Sequence, residues 1–205
     1  MQRSIRWTLA SCTLVLATAM IAAADTPATA PASQPTVNPR YTDWARFKPG
    51  ATTTMNSAIT TKGKTANTTL TTKLDKVTAD KVTIEVATGV EVMGHVMNAP
   101  ARKEEIPAQG WSQKMSSFTG NLPDMSNDQA SAQNVTTGTE DIKVGDKTLS
   151  TTWTDFTETK EGTTAHVKTW RSDQVPGGVV KMQTDLSGKH EGTVVETLTD
   201  FSTGG

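Results

Sequence analysis

Residues 81–93, KVTIEVATGVEVM, carry the clearest two-residue alternation in the chain. The first half of this stretch has a branched apolar residue at every second position, namely Val82, Ile84 and Val86. Because successive side chains of a strand point to opposite faces, the stretch predicts a strand with one apolar face. Gly89 interrupts the pattern and predicts a β-bulge, after which the alternation resumes.

Turn residues divide much of the remaining chain into pieces of similar length and composition. These pieces are rich in threonine and valine, and such β-branched residues favour a pleated, half-buried surface. The further predicted strands are 52–61, 65–77, 135–144, 147–159, 163–172, 179–186 and 193–201. Since the turns between most of them are short, the strands are expected to run antiparallel. We therefore predict a mainly β fold, an antiparallel meander of about seven to nine strands in a curved open sheet or partial barrel, with few helices.

Residues 95–132 lack this organisation, since prolines and glycines are scattered through them without a period. The segment is predicted to be a long excursion from the sheet, with a short helix near residues 126–133. Residues 41–205 as a whole are long enough to bury a core of their own. We expect a single β-rich domain over this range.

Residues 1–24 have the pattern of a secretory signal peptide. Arg3 and Arg6 precede an uncharged apolar run, and three alanines stand before Asp25. Within residues 25–40 a proline recurs at every fourth position, which predicts an extended Pro/Ala/Thr-rich linker. These features predict an exported protein, periplasmic or extracellular.

The single cysteine, Cys12, lies inside this predicted signal. Two membrane-anchored alternatives stay open: a signal that is not cleaved, and lipidation of Cys12 within its lipobox-like LASC sequence. Cleavage after Ala24 would instead leave a mature chain without cysteine. That chain would have no disulfide, no thiolate nucleophile and no cysteine–metal site. No later segment is long and apolar enough to span a bilayer, so no transmembrane span is expected in the mature chain.

The charged residues are evenly mixed along the chain. The sequence has 20 basic and 21 acidic residues. Loss of the predicted signal, which holds two arginines, leaves a net charge of about −3. Because binding to phosphates needs clustered Lys and Arg, this even mixture argues against nucleic acid as a partner.

The sequence contains no recognisable catalytic, metal-binding or cofactor-binding motif. His95, His166 and His190 lack the spacing of metal ligands, and none lies beside a carboxylate in a known signature. We therefore expect no metal, no cofactor and no enzymatic activity. The acidic pairs that acid–base chemistry would need are interpreted as solvated residues, namely Asp155 with Glu158 and Glu140 with Asp141.

Four tryptophans follow the predicted signal, at positions Trp44, Trp111, Trp153 and Trp170. Each can bury a large area, so they are expected to anchor the core. The alternative is that they line a cavity for an apolar ligand.

The most distinctive segment is residues 170–181, WRSDQVPGGVVK. It predicts the end of one strand, a Pro-Gly turn with positive φ at Gly177, and the start of the next strand. Two interpretations stay open for it, a tight structural turn or a ligand contact. If it contacts a ligand, the candidate binding residues are Trp170, Asp173, Pro176, Gly177, Gly178 and Lys181.

This segment resembles one found in uncharacterised exported β-rich bacterial proteins, with the pattern W-x-S-x-x-V-P-G-G-x-V-K. In those proteins, as at residues 144–147 here, a Val-Gly-Asp-Lys turn precedes the pattern. A closing strand with Leu and Phe three residues apart follows it, here at residues 195–201. Some of the related proteins look like the curved half-barrels of periplasmic lipoprotein carriers. The resemblance implies an envelope protein and, by analogy of fold, a possible apolar ligand.

Taken together, these features predict a non-enzymatic binding or scaffold domain of the cell envelope. Its partner would be an envelope protein or an apolar ligand. The alternative function is a carrier of a lipid or other apolar ligand in a curved sheet, and a hydrolase ranks third.

Overall fold

A computed structural model describes residues 37–92, 95–110 and 132–205. Within these ranges the chain forms one helix, α1 (Pro39–Ala45), and nine strands. The strands are β1 (Thr52–Thr61), β2 (Lys64–Val77), β3 (Lys81–Val92), β4 (His95–Pro107), β5 (Gln133–Val144), β6 (Lys147–Lys160), β7 (Thr163–Arg171), β8 (Val179–Gly188) and β9 (Gly192–Ser202). The predicted signal peptide with Cys12, most of the predicted linker, and Trp111 lie outside the described residues.

The nine strands form one antiparallel sheet in the order β4-β3-β2-β1-β9-β8-β7-β6-β5. Strands β1–β4 run outwards from the centre to one edge, and β5–β9 return from the other edge. The two series meet where β1 pairs with β9. The sheet is open, with β4 and β5 as its edge strands, so the predicted fold class is confirmed.

The prediction of a long excursion over residues 95–132 is wrong for its first third, which forms β4. Proline is tolerated on an edge strand because one side of the strand needs no ladder hydrogen bonds, and β4 is an edge. Its sequence, HVMNAPARKEEIP, therefore shows neither alternation nor an uninterrupted β-branched run. Residues 111–131, with most of the predicted helix at 126–133, lie outside the described residues, and Gln133 begins β5 rather than ending a helix.

The predicted bulge at Gly89 is also wrong, because Gly89 pairs regularly with Thr69 on one side and Asn98 on the other. The register of β3 and β4 shifts two residues earlier, between Val86 and Thr88. At this point two residues of β4, Pro100 and Ala101, lie opposite the single residue Ala87 of β3, and Pro100 has no N–H to continue the ladder. A proline on the partner strand thus decides the place of the irregularity.

Helix α1 begins within the segment predicted as linker. Its N-cap is Asn38, whose Oδ1 accepts a hydrogen bond from the backbone N–H of Arg40 at 3.0 Å, and Pro39 occupies the first turn. A helix of seven residues is too short to be stable alone, so tertiary contacts must hold it. In one of these contacts the Tyr41 hydroxyl donates a hydrogen bond to the carbonyl of Thr78 at 2.8 Å. In another, Arg40 forms an ion pair with Glu104 at 3.0 Å.

The first apolar cluster lies between α1 and strands β2–β4. Trp44 packs there with a set of buried side chains, namely Leu74, Val82, Ile84, Val86 and Ile106. The three alternating residues of β3 are at most 4% exposed, as their two-residue period predicts. This cluster is the hydrophobic contact that offsets the entropy of ordering the short helix.

The second cluster shows that the sheet curls. Val144 of β5 shares this cluster with Leu198 and Phe201 of β9, although three strands separate β5 from β9 in the sheet. Strands so far apart in the order meet only if the sheet bends towards itself. A third, smaller cluster covers the middle of β6–β8 and contains Phe156, Ala165, Val167 and Leu186.

No helix within the described residues has the length and apolar character needed to cross a membrane.

Candidate functional site

The two faces of the sheet differ in what covers them. We call the face that packs against α1 the inner face; by strand register it includes Ser57, Glu196 and Met182. The opposite face, which we call the outer face, includes Asn56 and Trp170. Because the side chains alternate, these assignments follow from the paired positions along each strand.

The Pro-Gly segment predicted from sequence forms the loop between β7 and β8, and α1 packs against it. Gly177 has a φ of +75°, as the sequence predicts, and a Cβ at this position would lie 3.0 Å from Cε2 of Trp44. Gly178 has a φ of +76°, and a Cβ there would lie 2.7 Å from Nη2 of Arg171. Both positions favour glycine for the backbone conformation, and at Gly177 the Trp44 ring also limits the space.

Polar contacts also connect α1 to the loop between β7 and β8. The N–H of Gly177 donates to the carbonyl of Asp43 at 3.3 Å, and the Asp43 carboxylate forms an ion pair with Arg171. Val175 and Pro176 are buried in the loop, whereas Asp173 is exposed. The loop therefore joins the C-terminal part of the sheet to the helix that covers the N-terminal part.

The six candidate residues of the segment fall into two groups. Trp170 and Lys181 pair directly across β7 and β8 on the outer face, and the Lys181 Nζ lies 4.8 Å from the Trp170 ring centroid. Pro176, Gly177 and Gly178 belong to the loop next to α1. The exposed Asp173 also lies in this loop.

Of the predicted core tryptophans, Trp44 and Trp170 are each 6% exposed, and Trp153 is partly buried. Trp44 lies in the first apolar cluster. The other two are cross-strand neighbours on the outer face. The expectation of burial in the core therefore holds for Trp44 and for Trp170, which lie on opposite faces of the sheet, whereas Trp153 is only partly buried.

Register brings one histidine to a carboxylate that sequence reasoning did not pair with it. The Nε2 of His166 on β7 lies 2.6 Å from Oδ1 of Asp155 on β6. These residues are 11 positions apart in the sequence, and only the hairpin register places them diagonally on one face. Within the described ranges no group of three or more His, Cys, Asp or Glu side chains has a metal-binding arrangement.

The acidic pairs considered from sequence do not converge. Asp155 lies on the outer face and Glu158, three residues later, on the inner face. Glu140 and Asp141 are consecutive in β5, so they also point to opposite faces. Glu140 instead accepts a hydrogen bond from the Trp170 indole Nε1 at 2.8 Å.

The outer face carries an open groove of about 410 Å³ over β1–β3 and β9, bounded by the start of β4. Its lining is mostly small or polar: Asn56, Ala58, Asn67, Thr69, Gly89, Glu91, Val96, Val195, Thr197 and Thr199. Ser57 and Thr68 also border it, although strand alternation directs their side chains to the inner face. Ala58 is the small side chain of the floor, while the side chains of Asn98 and Val96 lie over Gly89, and Val96 is one of the most exposed apolar residues at 64%. Amide and hydroxyl groups such as these both donate and accept hydrogen bonds.

The centre of the inner face holds a second polar feature. Ser57 Oγ is buried and has no hydrogen-bond partner among the described residues. Glu196 lies opposite Ser57 across β1 and β9, and burial raises the pKa of its carboxyl above the usual range. Met55 and Met182 are partly buried on the same face beside them. Sequence reasoning missed this group because neither residue belongs to a motif and strand pairing alone brings them together.

Comparisons with known proteins show structural similarity at low sequence identity. No protein-family model matches the chain, and no curated protein matches it. A protein described as a lipoprotein, from Parabacteroides distasonis, is 12% identical with a TM-score of 0.48 over 78% of this chain and 98% of its own. A protein described as exported with a YmcC-like fold, from Bacteroides fragilis, is 11% identical with a TM-score of 0.42 over 76% of this chain and 97% of its own.

A third solved structure, MucB in complex with MucA(peri), is 10% identical with a TM-score of 0.47 over 82% of this chain and 54% of that chain. All three TM-scores are below 0.5. The likenesses therefore assign neither a family nor a function to this chain.

Proposed function

We propose that this chain is an exported, non-enzymatic binding domain of the cell envelope, and that it holds an extended segment of a partner protein in the outer groove. The observation that carries the proposal is the groove of about 410 Å³ with its lining of asparagine and threonine. The export pattern of residues 1–24 supports the location.

The chemistry of the groove suits a polypeptide better than a lipid. An extended peptide presents N–H and C=O groups along its length, and each needs a hydrogen bond when it leaves water. Amides and hydroxyls, as at Asn67 and Thr197, satisfy either kind of group. An apolar chain would leave these side chains desolvated without partners, at a cost in binding free energy.

The exposed start of β4 adds a contact beside the groove. Val96 and Met97 are 64% and 59% exposed on this edge strand. The other half of β4 carries Arg102, Lys103 and two glutamates, charges of the kind that protect an edge from pairing. The unprotected half is thus the part that borders the groove.

Site-specific photo-crosslinking tests this proposal. A photoreactive residue at Thr197, in the groove, is expected to capture a discrete envelope protein of the host cell, whereas one at the exposed Lys143 of β5 is not. Filling the floor by Ala58→Leu should abolish the crosslink from Thr197, and Ala101→Leu, an exposed site outside the groove, should leave it unchanged. Equal crosslinks from both positions, or a crosslink that survives Ala58→Leu, would contradict the proposal.

The second candidate function is a carrier of an apolar or amphipathic ligand on the inner face. The observation in its favour is the group of Met55, Met182, Ser57 and Glu196. Methionines adapt to varied apolar shapes, the buried Ser57 Oγ has no partner among the described residues, and burial raises the pKa of the Glu196 carboxyl. Native mass spectrometry of protein from its own host is expected to show a bound lipid that Met182→Asp removes and Met97→Asp retains. Protein of ligand-free mass in every preparation argues against this function.

A further inference from the structure

We propose that the inner-face ligand of the second candidate function is an amphiphile with a primary ammonium head group, and that Glu196 and Ser57 bind this group. The inference rests on that carrier function and names the chemical class of its ligand. Two observations carry it: a carboxyl without a cation partner and a buried hydroxyl without a hydrogen bond, both within the described residues.

Strand pairing places these two side chains next to each other. Ser57 of β1 and Glu196 of β9 are direct partners across an antiparallel ladder. Side chains paired in this way share a face, and their Cβ atoms are about 5 Å apart. A single ammonium nitrogen can therefore contact both of them.

The Ser57 hydroxyl is a buried group that needs a partner. The residue is 6% exposed, and its Oγ makes no hydrogen bond within the described part of the chain. A buried hydroxyl without a hydrogen bond costs free energy, and a ligand donor that reaches the oxygen removes this cost. The serine therefore favours a ligand with a hydrogen-bonding head group over a wholly apolar one.

Glu196 lies among uncharged side chains. Its neighbours on the inner face are Ser57 and Met182 on the adjacent strands, and Val194 and Leu198 along β9. Burial raises the pKa of its carboxyl, as expected for a carboxylate that has lost water without gaining a counter-charge. A cationic ligand would supply that charge.

The strands on either side of β9 provide no cation for this carboxyl. Strand β1 has no charged residue. Lys181 of β8 lies on the outer face, where its Nζ is 4.8 Å from the Trp170 ring centroid. Lys168 of β7 lies on the same outer face, with its Nζ 4.2 Å from the Trp153 ring centroid. Both lysines are thus directed away from Glu196.

Apolar side chains beside the polar pair can hold an alkyl chain. Met55, Ile59 and Met182 lie on the inner face, and each is partly rather than fully buried. Methionine is flexible and polarizable, so it adapts to the shape of a bound chain. The combination suits an amphiphile better than a small free cation.

The charge and the number of donors identify the head group. A primary ammonium has a positive charge and three N–H donors, so it can bind the carboxylate and the serine hydroxyl together. A quaternary ammonium has the charge but no N–H donor, and an alcohol has a donor but no charge. A carboxylate head group would be repelled by Glu196.

Titration calorimetry of the purified protein at neutral pH with decylamine tests the head group, with decanoic acid and decyltrimethylammonium as comparison ligands. We expect decylamine to bind about tenfold more tightly than decanoic acid and about threefold more tightly than decyltrimethylammonium. Glu196→Gln should weaken the binding of decylamine about tenfold. Ser57→Ala should weaken it about threefold and leave the binding of decyltrimethylammonium unchanged.

The matched control is Glu191→Gln, which removes the same charge from an exposed glutamate just before β9. It should change the affinity for decylamine less than about twofold. Equal losses in Glu191→Gln and Glu196→Gln would overturn the inference, because they would indicate diffuse attraction of a cation to an acidic protein. Thermal unfolding checks that each variant is folded, and Glu196→Gln is expected to fold because it removes a buried charge.

The remaining outcomes separate the head-group preference from the carrier function. If none of the three ligands binds, the carrier function fails and this inference fails with it. If all three bind with similar affinity, the carrier function stands and the preference for a primary ammonium group is overturned.

Discussion

Strand β3 and strand β6 bury their side chains in different ways. In β3 every second residue from Val82 to Val86 is buried, and all lie on the inner face. In β6 the buried positions are first Leu149 and Thr151 and later Phe156 and Glu158, which have the opposite parity. The change occurs in the interval that contains Trp153, opposite Trp170.

The difference follows from what covers each half of the sheet. One layer, α1, covers β3, so one face stays buried along the strand. The β5–β6 hairpin extends beyond the end of β7, and its tip packs on Val175, Leu198 and Phe201. A strand covered from two directions has no single buried face. Alternation therefore predicts burial only where one neighbour covers the strand throughout.

The largest expected effect tests whether the apolar cluster beneath α1 and the cluster at the tip of the β5–β6 hairpin are equally well packed. Leu74→Ala beneath α1 and Leu149→Ala at the hairpin tip should each lower the free energy of unfolding by about 2–5 kcal/mol, because each leaves a cavity. Both leucines are at most 2% exposed. Chemical denaturation measures the loss, and the partly buried Leu70→Ala serves as a milder control. If Leu149→Ala lowers the free energy of unfolding no more than Leu70→Ala does, the second cluster is loosely packed.

The next effect concerns the junction where α1 meets the loop of the other half. Gly177→Ala should destabilise the protein by about 1–2 kcal/mol, because its φ of +75° is strained for alanine and Trp44 occupies the space beside it. Gly145→Ala is the matched control, since its φ of +57° is also positive but its surroundings are open. If both variants lose the same stability, contact with Trp44 adds nothing to the backbone strain.

Glu196, on β9 where the two halves join, gives a pH-dependent effect. Burial raises the pKa of its carboxyl in the folded state, so its contribution to stability is full below the usual pKa of 4.5 and is lost as the pH rises through the folded value. Glu196→Gln should therefore raise the free energy of unfolding at neutral pH by about 1 kcal/mol and have less effect in acid. Denaturation at both pH values measures the difference. An identical change at the two values would refute the burial of a charge here.

The smallest effect is expected at the exposed pair between Asp75 of β2 and Lys103 of β4, whose nearest atoms are 2.7 Å apart. The hydrogen bond and charge of Lys103 lower the pKa of Asp75, so its contribution is present above the usual pKa of 3.8 and is lost as the pH falls. Asp75→Asn should lower the thermal midpoint only slightly, and added salt should erase the change. A large decrease in the thermal midpoint that persists in high salt would contradict this expectation and would mean that the pair is needed to hold edge strand β4 in place.

The success of the sequence predictions depended on how local each signal was. The bounds of β1 were predicted to the residue, because threonine-rich composition and the Lys62-Gly63 turn act within a few positions. Strand β4 was missed because an edge strand tolerates proline and charge. Helix α1 was missed because contacts from Tyr41 and Trp44 stabilise it more than its own short sequence does.

The candidate sites depended on pairings that span the chain. The Pro-Gly segment was recognised as a turn from its residues alone. Its packing against α1, however, depends on Trp44, which is more than 100 residues earlier in the sequence. Glu196 likewise lies beside Ser57, which is far from it in the sequence, whereas His166 meets Asp155 through the register of a single hairpin. No local pattern distinguishes these residues from other polar positions on a strand.

The sequence by itself determined most strands, their turns and the positive φ at Gly177, because these depend on side-chain period and backbone preferences within a few residues. Tertiary structure alone decided that β1 lies beside β9, that α1 covers one half of the sheet, and that Trp153 and Trp170 meet the two lysines. Those outcomes depend on which strands pair and where the sheet bends. Both are set by the summed burial of distant apolar residues rather than by any one segment.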